Sequence, residues 1–374
     1  MGSSLGEVLL EARGQRDLTL RQVQAKTGIH NAHLSQIERG VIERPELSVL
    51  FELAQLYELD YAELLSLAGY VGERAPNKKA VTTAALRAVG DLTPEQQTET
   101  FQFINRLRRQ PRGGELELSE ESRRRLAAIA DRALREAGVE DKTPTPLGAV
   151  GEVAGVLEVV DQRDPPPEIE AEKPRWWKRV LGAVLFKERV VYIDRDQGDS
   201  RARFTEAHEI SHVLLPWHEQ VLRLDDERNL FYDTREELEA EANWTAAHLL
   251  FQGHRYHERA LDDEVSIATP IALAGQYEAS IHASIRFYVQ HHPDAVAVLI
   301  AGRYTQFDGT LPVWGSFESP TFLRQFGTLV QHIPQQSLSP GEDAATIGRL
   351  IHEAFQTANP PRDTIQLFDM DGQV

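Results

Sequence analysis

The sequence predicts a multidomain chain, mainly α with α+β parts. Three observations lead there. The chain has 374 residues, beyond the size at which one hydrophobic core usually stops growing. Its first 70 residues place apolar side chains at helical spacing between cap and stop residues. Stretches that alternate like strands come only later, around 157–194 and after 293.

Composition narrows the function. The chain has no cysteine, which excludes disulfides and thiolate metal sites and leaves His, Asp and Glu as the strong ligands. The first residues, "MGSSLGEVLLEARG", lack a basic segment followed by an apolar one. No window approaches the roughly 18 apolar residues of a membrane span. These features predict a soluble, unsecreted, cytoplasmic chain with no membrane partner. The net charge of −18 argues against a nucleic-acid binder over its whole surface. Residues 1–112, however, carry 14 Lys+Arg against 14 Asp+Glu, and 74–112 hold eight basic and three acidic residues. Any phosphate contact is therefore expected from the front of the chain.

Residues 4–70 read as five short helices. "SLGEVLLEARG" sets Leu5, Val8, Leu9 and Ala12 on one stripe, with Gly14 as the stop. "LTLRQVQAKTG" starts after Thr19 as N-cap, has Leu20, Val23 and Ala25 as burial candidates, and stops at Gly28. "IHNAHLSQIERG" ends at Gly40, and "RPELSVLFELAQLYEL" and "DYAELLSLAGY" follow. The tight "TGIH" turn between the second and third is the spacing of a helix-turn-helix. From "LTLRQVQAKTGI" through "LSQIERG" to "PELSVLFELAQLYELD", the segment resembles the XRE (phage repressor-like) DNA-binding family over nearly all of residues 5–70. The resemblance implies an all-α domain, 1–72, whose third helix enters the major groove of DNA, with Asn31, His33, Ser35 and Gln36 as base and phosphate contacts. The alternative is a helix-turn-helix kept for protein contact alone.

Residues 73–118 read as a linker with one helix, "TPEQQTETFQFINRLRRQ". A second unit, 119–290, opens with the helix "SEESRRRLAAIADRALREAG" and a shorter one at "TPLGAVGEVAG". "LEVV" reads as a strand and "GAVLFKERVVYID" as a two-stranded hairpin. Asp199 or Ser200 is expected to cap the next helix, and Pro216 to end it.

That helix carries "HEISH". Positions four apart lie about 40° from each other around a helix, so His208 and His212 can present imidazoles to one ion. Glu209 is turned about 100° from His208, which suits a group that touches an attacking water instead of the metal. Alone, the pentapeptide is also compatible with an ordinary histidine pair. The segment "EELEAEANWTAAHLLFQ" adds Glu239 and Asn243 four apart on one helical face, with small Ala242 and Ala246 beside them. His208, His212 and Glu239 give the three protein ligands of a catalytic zinc, and Asn243 is placed to hydrogen-bond a ligand histidine. Glu241 lies about 160° from Glu239, so the two cannot both be ligands. His248 is about 180° from Glu239 and is expected to face away.

"RARFTEAHEISHVLL" followed by "ELEAEANWTAAHLLF" resembles the two-helix signature of the ImmA/IrrE metallopeptidases, and the resemblance extends over roughly 120–290. It implies a zincin-like domain with His208, His212 and Glu239 as ligands of Zn2+, with Mn2+ as second candidate, and Glu209 as general base and acid. One departure is "LLFQGH" where relatives usually have Met-Pro at the end of the second helix. His218, His254, Tyr256, His257 and Tyr277 remain open as oxyanion helpers. The hairpin edge can hold a peptide as an added strand, or pack as plain sheet.

Residues 291–374 turn to "AVAVLIAGRYTQ", "LPVWGSF", a Ser/Pro/Gln-rich loop, a helix "DAATIGRLIHEAF" and "TIQLFDM", an α+β segment suited to sensing a signal. The expected whole is a regulatory zinc endopeptidase that cuts a protein partner, an XRE-type helix-turn-helix repressor, under stress or DNA damage. DNA is the second partner, single-stranded DNA a candidate activator, and a homodimer a further expectation. The rival is a DNA-binding transcriptional regulator whose metal domain is structural or sensory.

Overall fold

The structure is a computed structural model that describes residues 4–72, 118–161, 181–227, 229–230, 232–262, 265–301, 311–329 and 337–338. The helix expected at 93–110 and the C-terminal helix and strand expected at 343–355 and 364–370 lie outside these residues. The described chain is mainly helical with three small sheets. No helix among the described residues is long and apolar enough to cross a membrane.

The chain divides into two compact units that do not follow chain order. The first gathers Met1–Ile129, Val184–Arg189 and His208–Thr245, and the second Ala130–Ala183, Val190–Ala207 and Ala246–Val374.

The first unit begins with five helices: α1 (Leu5–Gln15), α2 (Leu20–Thr27), α3 (Asn31–Glu38), α4 (Leu47–Tyr57) and α5 (Tyr61–Leu67). Local chemistry sets their ends. Ser4 with Glu7, and Thr19 with Gln22, form capping boxes that satisfy backbone N–H groups otherwise left open at a helix start. Gly28 ends α2 in the left-handed region at φ 74°. Gly14 does not stop α1, which runs to Gln15; a glycine fits its last turn, and the reversal falls on Asp17 at φ 52°. Ala25 is exposed while Val23 is fully buried, because positions two apart on a helix point about 200° apart. Gly6 permits the close approach of α1 to α3: a Cβ there would sit 2.6 Å from the Glu38 carbonyl oxygen. Arg13 locks the same contact through bonds of 2.5 and 2.8 Å to the Glu38 carboxylate.

Leu9, Val23, Ile29, Leu34, Ile37, Leu50 and Tyr57 form the core of these helices, and the same cluster continues into Leu126, Leu215, Trp217, Val221 and Leu238. Leu126 comes from α6 (Glu120–Glu136) and Trp217 from α9 (Pro216–Glu227). Pro216 does follow the end of α8 (Asp199–Leu214), but it also opens α9, since proline fits a first helical position where no N–H is required. Asp199 is the first residue of α8 instead of its cap, and Gly198 precedes it at φ 93°. A short antiparallel pair joins β1 (Val71–Gly72) to β5 (Asn229–Leu230). α10 (Tyr232–Phe251) follows. Tyr70 ties the start of this pair to α10, its carbonyl accepting from the Thr234 hydroxyl at 2.9 Å.

α7 (Leu147–Ala154) belongs to the second unit, and a three-stranded sheet has the order β2-β4-β3, with β2 (Glu158–Asp161), β3 (Gly182–Leu185) and β4 (Val190–Ile193). The expected hairpin is β3 and β4; β2 adds parallel to β4, from Glu158↔Val190 to Asp161↔Ile193. An aromatic core of Phe251, Tyr256, Tyr277 and Phe287 packs α11 (His254–Leu261), α12 (Ala268–Gln276) and α13 (Ile281–His291), with ring centroids 4.7–5.9 Å apart. Beyond it, β6 (Ala297–Ala301) pairs antiparallel with β7 (Leu311–Glu318), and β7 with β8 (Ser337–Leu338). α14 (Pro320–Phe326) lies where a loop was expected; Ser319 caps it and Pro320 starts it.

The "LLFQGH" stretch ends α10 through two residues at positive φ, Gln252 and Gly253, both at 53°. The Gln252 amide donates to the carbonyls of Val139 and Lys142, which fixes the exit. A Cβ at Gly253 would lie 2.5 Å from the His248 ring, so only glycine fits there. His248 itself bonds Asp131 at 2.8 Å.

Candidate metal centre

The centre lies in the first unit, where α8 and α10 bring their polar faces together. His208 and His212 are one turn apart on α8, and Glu239 stands on α10. Their ligand atoms all lie within 4.8 Å of one another. His208 Nε2 is 3.1 Å from His212 Nε2 and 3.2 Å from Glu239 Oε2, and His212 Nε2 is 3.8 Å from Glu239 Oε1. Ligands at about 2.0–2.1 Å in a tetrahedron lie roughly 3.3–3.4 Å from each other, so these separations fit one small divalent ion.

The far sides of the imidazoles support that fit. His208 Nδ1 bonds Asn243 Oδ1 at 3.0 Å, and His212 Nδ1 bonds His218 Nδ1 at 2.8 Å. With Nδ1 engaged on both rings, Nε2 is the nitrogen left facing the shared point. Asn243 therefore stands where the helical wheel put it.

Glu209 is 8% exposed, and burial, reinforced by the charge of Glu239, pushes its carboxyl up to about 7. Burial alone would raise Glu239 too, but the bond from His208 and the nearby imidazoles hold it below the usual carboxylate range. His212 is driven low, by burial first and by its histidine neighbours second, so it is neutral and offers a lone pair.

Behind His212 lies a group of residues whose joint role the sequence did not announce. His218 is fully buried, and its Nε2 is 2.9 Å from Glu241 Oε2, which also accepts from the Trp217 indole at 2.7 Å. Burial pushes His218 down to about 3 and Glu241 up to about 8, the Trp217 bond opposing the latter. Burial so far from water disfavours both charges, the imidazolium of His218 and the carboxylate of Glu241. Glu241 is thus engaged by Trp217 and His218, apart from the point that His208, His212 and Glu239 share. That it meets His218 depends on α9, which no periodicity announced as a separate helix.

This arrangement removes several oxyanion candidates. His218 faces away from the shared point. Tyr256 is fully buried, with its hydroxyl on Ser284 at 2.7 and 2.9 Å, and Tyr277 is 3% exposed in the same aromatic core. His254 and His257 lie on α11, the first exposed and the second half-buried.

The four residues named for DNA contact all sit on α3. Gln36 is exposed, and Asn31, His33 and Ser35 are half-buried. The Asn31 backbone N–H donates to Gln24 at 3.0 Å, fixing the turn before the helix. His33 is engaged within the chain: its Nδ1 is 3.0 Å from Glu121 on α6, and Glu121 is held in turn by Arg125 at 3.0 Å.

Two parts of the chain match known families. Residues 9–64 match the family model described as helix-turn-helix, and residues 158–284 match the IrrE N-terminal-like domain. The chain thus joins a helix-turn-helix domain to an IrrE-like domain, and the second match includes His208, Glu209, His212 and Glu239. Among individual proteins, the HTH-type transcriptional repressor RghR of Bacillus subtilis (strain 168) is 35% identical over 77 residues, 20% of this chain and 57% of the relative. The uncharacterized HTH-type transcriptional regulator RghRB of the same organism is 33% identical over 69 residues, 18% of this chain and 50% of the relative. The chain therefore spans a little over half, and half, of these two relatives.

Proposed function

We propose that this chain is a DNA-binding regulatory metallo-endopeptidase that cuts a helix-turn-helix repressor in the cytoplasm, with stress or DNA damage as trigger and single-stranded DNA as candidate activator. The observation that carries the reading is the convergence of His208 Nε2, His212 Nε2 and the Glu239 carboxylate beside a buried Glu209. We place its functional parts at 1–72 for DNA, 119–290 for the metal centre and 291–374 for sensing, joined by 73–118.

In this reading His208, His212 and Glu239 hold the ion, zinc first and manganese second. The ion would polarise the scissile carbonyl and acidify the attacking water. Asn243 fixes the His208 ring. The Glu209 carboxylate takes a proton from the water and delivers it to the departing amine nitrogen, work suited to a group that titrates near neutrality. On the DNA side, Asn31, His33, Ser35 and Gln36 offer polar side chains along α3, and reading DNA with His33 requires it to leave Glu121.

A second reading, a transcriptional regulator whose metal domain is structural or sensory, is favoured by the two Bacillus relatives, which are named as a repressor and a regulator. Incubation of the purified chain with candidate repressors, with and without a chelator, separates the two. One chelator-sensitive cut supports the peptidase; metal-independent DNA binding with every candidate intact supports the regulator.

A further inference from the structure

A buried imidazole that binds an ion through one nitrogen carries its proton on the other, and that N–H needs an acceptor. For His212, 5% exposed, the partner at Nδ1 is His218 Nδ1 at 2.8 Å. His218 can accept there only if its own proton is on Nε2. That nitrogen meets Glu241 Oε2 at 2.9 Å, and the same oxygen takes the Trp217 N–H at 2.7 Å. The bonds therefore have one consistent direction when an ion sits on His212: His212 donates to His218, and His218 and Trp217 donate to Glu241. The outer end is firmly packed. The Trp217 ring lies 6.1 Å from that of Phe51 on α4, and Phe51 stacks edge-on against Tyr61 at 5.6 Å.

We propose that His218 and Glu241, seated through Trp217 on the helix-turn-helix core, are positioning residues that fix the tautomer and aim of His212 and thereby set the affinity of the centre for its ion. His208 Nδ1 bonds Asn243, a residue that is itself exposed. The deep relay therefore serves the ligand that water cannot reach. It also ties metal affinity to the integrity of the helix-turn-helix core, since Trp217 and Phe51 belong to one cluster.

The inference rests on the metal centre proposed above, and the test keeps the two apart. Zinc affinity of the full chain is measured by competition with a chromophoric chelator, the visible bands of the cobalt-loaded protein report ligand geometry, and melting of the metal-free protein reports folding. His218→Phe fills the space without an acceptor, whereas His218→Asn is smaller but keeps one. The expected result is affinity about 10–100-fold weaker for Phe, with Asn closer to wild type. Glu241→Leu probes the relay from its outer end, should the larger ring not fit, and is expected to weaken zinc and shift the cobalt bands. Glu241→Gln, whose amide oxygen still accepts, should stay within about threefold of wild type, a small part of that range. Affinity that follows side-chain volume, with Phe tighter than Asn, or an unchanged Glu241→Leu, overturns the relay and leaves the centre standing. A wild-type chain that binds no ion removes both.

Discussion

α3, which carries the residues proposed to read DNA, and the part of α8 from His208 onward, which carries the proposed ligands, both lie in the first unit, yet they are built differently. α3 keeps Gln36 exposed, and neighbours in sequence set its start: Gln24 holds the turn before it, and the His30 ring accepts from the Ala32 N–H. α8 buries Glu209 and His212, and its polar atoms are satisfied by Asn243 from 35 residues away and by His218 on the next helix. A helix meant to touch a partner leaves polar atoms accessible to water. One proposed to aim imidazoles at an ion gains from burying them, because water competes for each donor and loosens the geometry.

The largest effect that tests this contrast is His212→Ala. It removes a ligand of a three-ligand site, so metal content measured on the purified protein should fall from one ion per chain to none detectable. An ion retained at full content would mean that the burial on α8 serves packing alone. Next is Gly6→Val, which forces a side chain into the backbone of α3 at the 2.6 Å approach and should cost about 1–3 kcal/mol in denaturant unfolding, with DNA binding weakened alongside. An unchanged midpoint would show that α1 and α3 are not held so closely. Thr19→Ala, which removes the α2 cap, should cost about 1 kcal/mol by the same measurement and leave metal content untouched.

A smaller effect concerns Glu121. Burial disfavours its charge, but bonds from Arg125 and His33 prevail and hold its carboxyl below the usual range. A depressed carboxyl stabilises the fold above its unfolded pKa, and that contribution disappears as the pH falls through the folded value. Glu121→Gln should therefore lower stability slightly at neutral pH, with the difference vanishing in acid. Glu121→Ala, which leaves no acceptor, frees His33 and should modestly tighten duplex DNA binding, read by anisotropy at fixed salt. Weaker DNA binding would mean that Glu121 orders the reading surface and does not compete for it.

The same contrast explains what could be read from the chain. Thr19, Gly28 and the Leu5–Leu9–Ala12 stripe were legible because caps and helical periodicity act within a few residues. His208, His212, Glu239 and Asn243 were legible for the same reason: each pair lies one helical turn apart, and the structure brings the two pairs together. His218 was visible only as a histidine near the motif, because its neighbours are chosen by α9 and α10 packing together. Gly14 misled because a residue that often ends a helix can also sit inside its last turn, and Pro216, which does follow the end of α8, also opens the next helix. The exit from α10 at Gln252 follows from carbonyls more than a hundred residues earlier, at Val139 and Lys142.

The claim that Glu209 works on substrate while its neighbours on α8 hold the ion is tested most directly by Glu209→Gln. Native mass measurement should show the variant with the same single ion as wild type. Intact mass after incubation with a helix-turn-helix repressor should then give two fragments with wild type and one unbroken chain with the variant. A repressor cut equally by both proteins, or by neither while both hold the ion, would contradict the account.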